Sequence, residues 1–332
     1  MYNSGYYNSC DLLMAISKQS YNIVNKVAPQ LEDWQTTYVP HGINTKKFFP
    51  VSEVNVDYRN FSSQFGLDKY KFKILYLNRN IRRKQPSDVI WAYKKFVDGL
   101  PEKDRKDCCL LMHTAAVDQN GTDLIKVKEA ICPDYDVRFS QARIDATQLN
   151  YLYNLSDVTI NIAGNEGFGL TTAESVMAET PIIVNVTGGL QDQCGFKWNV
   201  APSNLNEQWE YLTADDYKDI GSLHDWRKWE DKVTHGEWVK PVWSRVQTMT
   251  GSVPTPYIID DKVDVTETSE AIRYWYDKGD KGRQKAGKAG RNAFLNEIGL
   301  GVDNQNKTMA DGIEKAIKNF KPKKRFNLYK LA

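Results

Sequence analysis

Residues 165–174 read NEGFGLTTAE, and they hold the densest chemistry in the chain. Gly164, Gly167 and Gly169 let the backbone approach a bound group closely and take dihedrals closed to other residues. A helix opening at Leu170 points its first N–H groups at one spot, which favours a phosphate. Glu166 stands before the turn and Glu174 behind it, and each carboxylate can accept hydrogen bonds from sugar hydroxyls. The spacing E-x7-E alone carries little, since on the order of one arises by chance in a chain of this length. Thr171-x-x-Glu174 also has the form of a capping box, so Glu174 has a purely structural reading as well.

Two further groups of residues bear on anion chemistry. Arg79 and Lys84 lie in NRNIRRKQP, with Arg82 and Arg83 as competitors. An Arg offers phosphate a planar fork, and a Lys a mobile point charge. A solvated basic loop is the plainer reading. Thr187-Gly188-Gly189 forms a tight turn that a ligand could approach, although a turn needs no ligand to explain it.

Such residues act only if regular elements bring them together. Apolar runs at 73–77 (KILYL), 109–113 (CLLMH), 135–139, 158–162 (VTINI) and 181–186 (PIIVNV) read as strands buried on both faces. Helical patterns alternate with them: one begins at Pro86, and the others cover 122–131, 146–155 and 170–178. This succession predicts a doubly wound α/β domain with a parallel sheet. Arg79, Lys84, Glu166 and Gly188 then all follow strand ends, where such sheets bind ligands. Earlier, 11–16 and 36–39 read as short strands around a helix over 18–27 capped by Ser17. Residues 198–242 are rich in Trp and read as an irregular insertion. Helices are predicted over 266–278, 281–297 and 309–320, before a basic tail.

Composition narrows the classes. The chain has 332 residues with 44 basic and 42 acidic side chains, so non-specific nucleic-acid binding is not expected. Five cysteines without a CxxC pair and four scattered histidines argue against a disulfide framework or a metal site. No apolar run reaches the roughly 18 residues of a membrane span, and the start lacks a signal-peptide pattern. A cytoplasmic protein, at most peripheral to a membrane, is expected. The sequons at Asn154 and Asn185 adjoin strand-like runs and are read as chance. Gly282-x4-Gly287-Lys288 lacks the Ser/Thr of a P-loop and follows no strand.

In order along the chain stand Val39-Pro-His-Gly-Ile43 with Phe49-Pro50, Arg79 and Lys84, Glu166-Gly-Phe-Gly-Leu170 with Glu174, and Thr187-Gly-Gly189. This series resembles the C-terminal, donor-binding half of retaining glycosyltransferases of the GT4 family, with the GT-B fold. The resemblance implies catalytic roles for Arg79, Lys84 and Glu166. The two cations would neutralise a leaving diphosphate, and Glu166 would lie near the transferred sugar. It implies donor contacts from Gly167, Phe168, Gly169, Leu170 and Thr171, from Glu174 on ribose hydroxyls, and from Gly188 and Gly189. It implies a nucleotide-diphosphate sugar as donor, no metal and no other cofactor, and an acceptor that is a sugar, lipid or protein. A GT-B nucleotide-sugar epimerase and a non-catalytic nucleotide-sugar or partner-binding module are the rival readings. The hinge motif VPHGI arrives already at residue 39. Residues 1–40 are therefore expected to be only the closing elements of a truncated first domain. Residues 41–300 would be the donor-binding domain with an insertion at about 195–240, and 301–332 a helix crossing back plus the basic tail.

Overall fold

A computed structural model describes residues 4–201, 206–219, 228–253 and 255–322. Helix α1 (Ser4–Ser9) precedes strand β1 (Leu13–Ala15), helix α2 (Lys18–Val27) and strand β2 (Thr36–Tyr38). Then come α3 (Val56–Phe65), β3 (Phe72–Leu77), α4 (Pro86–Asp98), α5 (Glu102–Arg105), β4 (Cys108–His113) and α6 (Leu124–Ile131). They are followed by β5 (Val137–Ser140), α7 (Ala146–Leu155), β6 (Val158–Asn161), α8 (Leu170–Met177) and β7 (Ile182–Asn185). The later elements are β8 (Lys197–Asn199), β9 (Trp209–Tyr211), α9 (Asp216–Asp219), β10 (Val233–Thr234) and β11 (Val239–Val242). A hairpin of β12 (Ser244–Ser252) and β13 (Thr255–Val263), then α10 (Val265–Asn296) and α11 (Val302–Asn319), complete the series.

Six strands form one parallel sheet in the order β11-β7-β6-β3-β4-β5. This is the doubly wound α/β arrangement. Adjacent residues face opposite sides: Leu75, Leu111 and Val184 enter one apolar core, and Ile74, Leu110 and Ile183 the other. Burial on both faces explains why these strands are apolar runs without alternation. The helices start where their sequences provide caps. Asp123 caps α6, Asp145 and Gln148 form a capping box on α7, and Pro86 is the first residue of α4. Gly279, at φ 64°, breaks α10 between the two helices predicted there.

Strands β1 and β2 pair in parallel outside this sheet. Helix α11 lies on them, with Gly312 against Thr37 and Met14, and Gly301 bridges to Ile43. The sequon asparagines Asn154 and Asn185 are engaged internally. Asn154 Oδ1 accepts from Val51 N–H at 2.7 Å, and the buried Asn185 amide donates to Ala163 and Asp261 carbonyls. All five cysteines are free thiols.

Residues 198–242 are not an irregular insertion throughout. They contribute to the antiparallel sheet β10-β8-β9 and end in β11, the sixth strand of the main sheet. Pro241 hides β11 in the sequence, because proline cannot donate to a ladder; an edge strand, bonded on one side only, accepts it. Trp238 belongs to the core. It is buried against Phe294 and donates its indole N–H to Gln193 O at 2.9 Å. Part of the stretch, 202–205 and 220–227, lies outside the described residues, as do the last ten residues of the basic tail.

Candidate active site at the carboxyl ends of the strands

Strand β3 ends at Leu77, and the chain turns through Arg79 into a short 3-10 turn over Arg82–Lys84. Strand β6 ends at Asn161 and opens the glycine loop that leads into α8. The two loops meet at Glu166. Lys84 Nζ donates to Glu166 Oε1, and both side chains are only 11% exposed. Arg83 Nη1 contacts Glu166 Oε2 at 3.4 Å and donates to the Asn165 carbonyl. Asn161 Nδ2 donates to Glu166 Oε1 at 3.2 Å. Burial lowers the pKa of Lys84, and the Glu166 carboxylate opposes that shift. A buried ion pair of this kind sets an already desolvated positive charge at the carboxyl ends of the two strands.

Arg79 is placed differently. Its side chain is 64% exposed and its Nε bonds to Asp118 Oδ2 at 3.3 Å, among residues that follow β4. No bond joins it to the Lys84–Glu166 pair. Arg83, a competitor in the sequence, takes the neighbouring place.

Gly169 begins α8 at φ 89°, in the left-handed region that favours glycine, and no side chain caps the helix. The first N–H groups of α8 thus have no side-chain acceptor, and Leu170 is exposed above them. Gln193 holds the loop from below, its Nε2 donating to Phe168 O at 2.7 Å and Gly169 O at 2.9 Å. Phe168 is buried and meets His41 edge to face, with ring centroids 5.2 Å apart. Gly167 faces Ile16, beyond the end of β1. Thr171 is half-buried beside them.

Glu174 is not in the first helical turn, and the capping box with Thr171 does not form. It is the fifth residue of α8, since Gly169 rather than Thr171 occupies the cap. Its Oε2 accepts the Tyr153 hydroxyl at 2.7 Å. Burial raises its pKa, and the Tyr153 bond partly offsets the rise. Gly188 and Gly189 serve contact between loops. A Cβ on Gly188 would strike the Glu166 carbonyl, one on Gly189 would strike Gly167 and Phe168, and Gly189 N–H donates to Glu166 O at 2.9 Å. Gly188 sits at φ 50°.

Sequence reasoning missed Asn161 and Gln193, and gave His41 a place in the VPHGI motif but no role of its own. The one signal for Asn161 was an amide closing an otherwise apolar strand. Among the described residues no group of three or more His, Cys, Asp or Glu could hold a metal ion. No helix among them is long and apolar enough to cross a membrane.

Residues 22–230 match GT4-conflict, described as "Family 4 Glycosyltransferase in conflict systems". Alpha-monoglucosyldiacylglycerol synthase of Acholeplasma laidlawii is 24% identical over 183 residues, covering 55% of this chain and 43% of that protein. The chain therefore spans less than half the length of this curated relative. Sucrose-phosphate synthase of Thermosynechococcus elongatus is similar in fold, with TM-score 0.62, 18% identity, and coverage of 95% of this chain and 61% of that one. So is Anabaena HepE in complex with UDP-glucose, with TM-score 0.59, 12% identity, and coverage of 92% and 64%.

Proposed function

Because the chain belongs to the family 4 glycosyltransferases of conflict systems, we propose that it binds a nucleotide-diphosphate sugar and transfers the sugar with retention of anomeric configuration. One observation carries this reading. A buried lysine, paired with Glu166, lies at the carboxyl ends of β3 and β6, and the glycine loop after β6 leads to the start of α8, which no side chain caps. Lys84 supplies positive charge to a departing diphosphate, and the α8 amides add fixed dipoles. Glu166 gives up part of its pairing when the diphosphate arrives and then faces the sugar. Glu174 takes ribose hydroxyls. Arg79, exposed on its loop, swings from Asp118 to the outer phosphate. Similarity to a glycolipid synthase and to a UDP-glucose complex supports the donor class. The acceptor is a sugar, lipid or protein. Five free thiols agree with a reducing cytoplasm.

The fixed cations make the transfer independent of a divalent ion in this reading. The test is a panel of UDP-, GDP- and ADP-sugars, first by thermal shift and then by release of nucleoside diphosphate with added acceptors, with and without EDTA. A bound ligand at 100 times its Kd raises stability by about 2.7 kcal/mol. One donor stabilises the protein and is consumed equally in EDTA, and Lys84→Ala loses at least roughly tenfold in diphosphate affinity, about 1.4 kcal/mol. Turnover of free donor to an epimer, or binding without turnover, would replace transfer by one of the rival readings. No stabilisation by any member of the panel would end the donor assignment.

A further inference from the structure

Asn161 is fully buried at the last position of β6, where a polar side chain must satisfy its groups inside the protein. Both ends of its amide are used. Oδ1 accepts from Ala163 N–H at 3.1 Å, fixing the first bend of the glycine loop, and Nδ2 donates to Glu166 Oε1 at 3.2 Å, fixing the far side of the same loop. Glu166 Oε1 is also the atom that receives Lys84 Nζ, while Oε2 faces Arg83. The carboxylate is thus held by two cations from the β3 side and one neutral amide from the β6 side. The cations are the groups a diphosphate can compete for. The amide donor is not, because it is buried and neutral. When the cations turn to the ligand, the amide is what keeps the carboxylate from moving with them.

We propose that Asn161 is a positioning residue, whose amide anchors the Glu166 carboxylate so that Lys84 can exchange between Glu166 and the diphosphate of the ligand. This rests on the donor reading above. An Asn suits the position because it donates without adding charge; an Asp in the same place would set a second carboxylate about 3 Å from Glu166, where the two cannot both ionise easily.

The test uses Asn161→Asp, Asn161→Leu and the double variant N161D/E166Q, in the full chain. The first measurement is calorimetric titration with whichever of UDP, GDP or ADP the parent binds, at pH 6 and pH 8. For Asn161→Asp the Kd relative to the parent rises roughly tenfold or more from pH 6 to 8 as the shared proton leaves and a second negative charge faces the ligand. For Asn161→Leu the ratio is raised but independent of pH. In N161D/E166Q the repulsion between carboxylates is gone and only burial still raises the remaining carboxyl, so the slope shrinks. A residue that merely packs the loop would give equal, pH-independent losses in the Asp and Leu variants, and that result would overturn the proposal. So would a slope that is undiminished in the double variant.

The second measurement needs no ligand. In Asn161→Asp burial and the neighbouring carboxylate raise the introduced carboxyl above its unfolded pKa of about 4, against the pull of Lys84 and Arg83. Its contribution to stability is therefore full below about pH 4 and is lost as pH rises through the folded value. The melting temperature falls behind the parent's progressively from pH 5.5 to 8, and E166Q reduces the deficit's pH dependence. A variant that folds only at acid pH gives the same answer. If the parent binds none of the three nucleotides, the donor reading fails and the diphosphate exchange with it, while the melting series still decides whether Asn161 grips Glu166.

Discussion

Glu174 shows how far a single residue's chemistry depends on one turn of helix. In the sequence it has two readings, a hydroxyl ligand and a capping side chain. The structure removes the second, since Gly169 begins α8 and Glu174 stands in its second turn against Tyr153. A half-buried carboxyl with a raised pKa is costly unless something accepts its charge, and one phenol hydroxyl offsets only part of that. Glu174→Gln keeps an oxygen for the Tyr153 hydroxyl, so stability changes by less than about 1 kcal/mol. In the ribose-binding role proposed above it also loses charge-assisted bonds, and nucleotide affinity drops roughly tenfold. Calorimetry beside a urea melt separates the two effects. Nucleotide affinity that stays unchanged in a stable Glu174→Gln protein would remove this residue from the site. The raised pKa adds a pH arm: affinity of the parent weakens as acidification protonates Glu174, and this loss is absent from the Gln variant.

Among the elements, legibility followed burial. Strands β3, β4, β6 and β7 are enclosed on both faces, so their runs of Ile, Leu and Val could be read directly. The edge strand β11 could not, because Pro241 interrupts its pattern. The hairpin β12–β13 escaped for another reason. Much of its surface is exposed, Met249 and Tyr257 included, so no core imposes an apolar rhythm on it. The candidate site was legible as strand ends plus glycines, but its pairing was not. Which of the cations of NRNIRRKQP meets Glu166 depends on the 3-10 turn at Arg82–Lys84, and local sequence does not fix that. The resemblance implied donor contacts from the glycines of the β7 turn, and the structure shows that they also pack against the Glu166 loop. Gly189→Ala puts a methyl group against Gly167 and Phe168 backbone, which cannot retreat far. Overpacking of this kind costs roughly 1–3 kcal/mol. The displaced loop carries Glu166 with it, so nucleotide affinity falls together with stability. A denaturation curve and a titration on one preparation check this, and affinity retained in a destabilised Gly189→Ala protein would detach the turn from the site.

At the scale of the whole molecule, one buried carboxylate ties the early elements to the sheet that carries the site. Asp192 follows the Gly188–Gly189 turn and is 3% exposed. Its Oδ2 accepts the Lys18 backbone N–H at 3.0 Å, at the start of α2, and the Tyr38 hydroxyl at 3.0 Å, at the end of β2. Lys18 Nζ turns to the Leu212 carbonyl at 2.5 Å, and Cys194, Tyr217 and Asp216 are the other titratable groups around the cluster. Burial pushes the Asp192 carboxyl up to about 6, against the pull of Lys18. A carboxyl raised in the folded state contributes stability that is full below its unfolded pKa, near 4, and is lost as pH rises through about 6. A rise from about 4 to about 6 corresponds to at most roughly 3 kcal/mol. Asp192→Asn keeps an oxygen for Lys18 N–H and Tyr38 but cannot ionise. The stability of the variant minus that of the parent therefore climbs between pH 4 and 7, whatever its value at pH 4, and levels off above pH 7. Urea denaturation at four pH values across that window measures the climb. A difference that stays flat would mean that Asp192 ionises in the folded protein as it does in the unfolded chain, with burial balanced by Lys18, the Lys18 N–H and the Tyr38 hydroxyl.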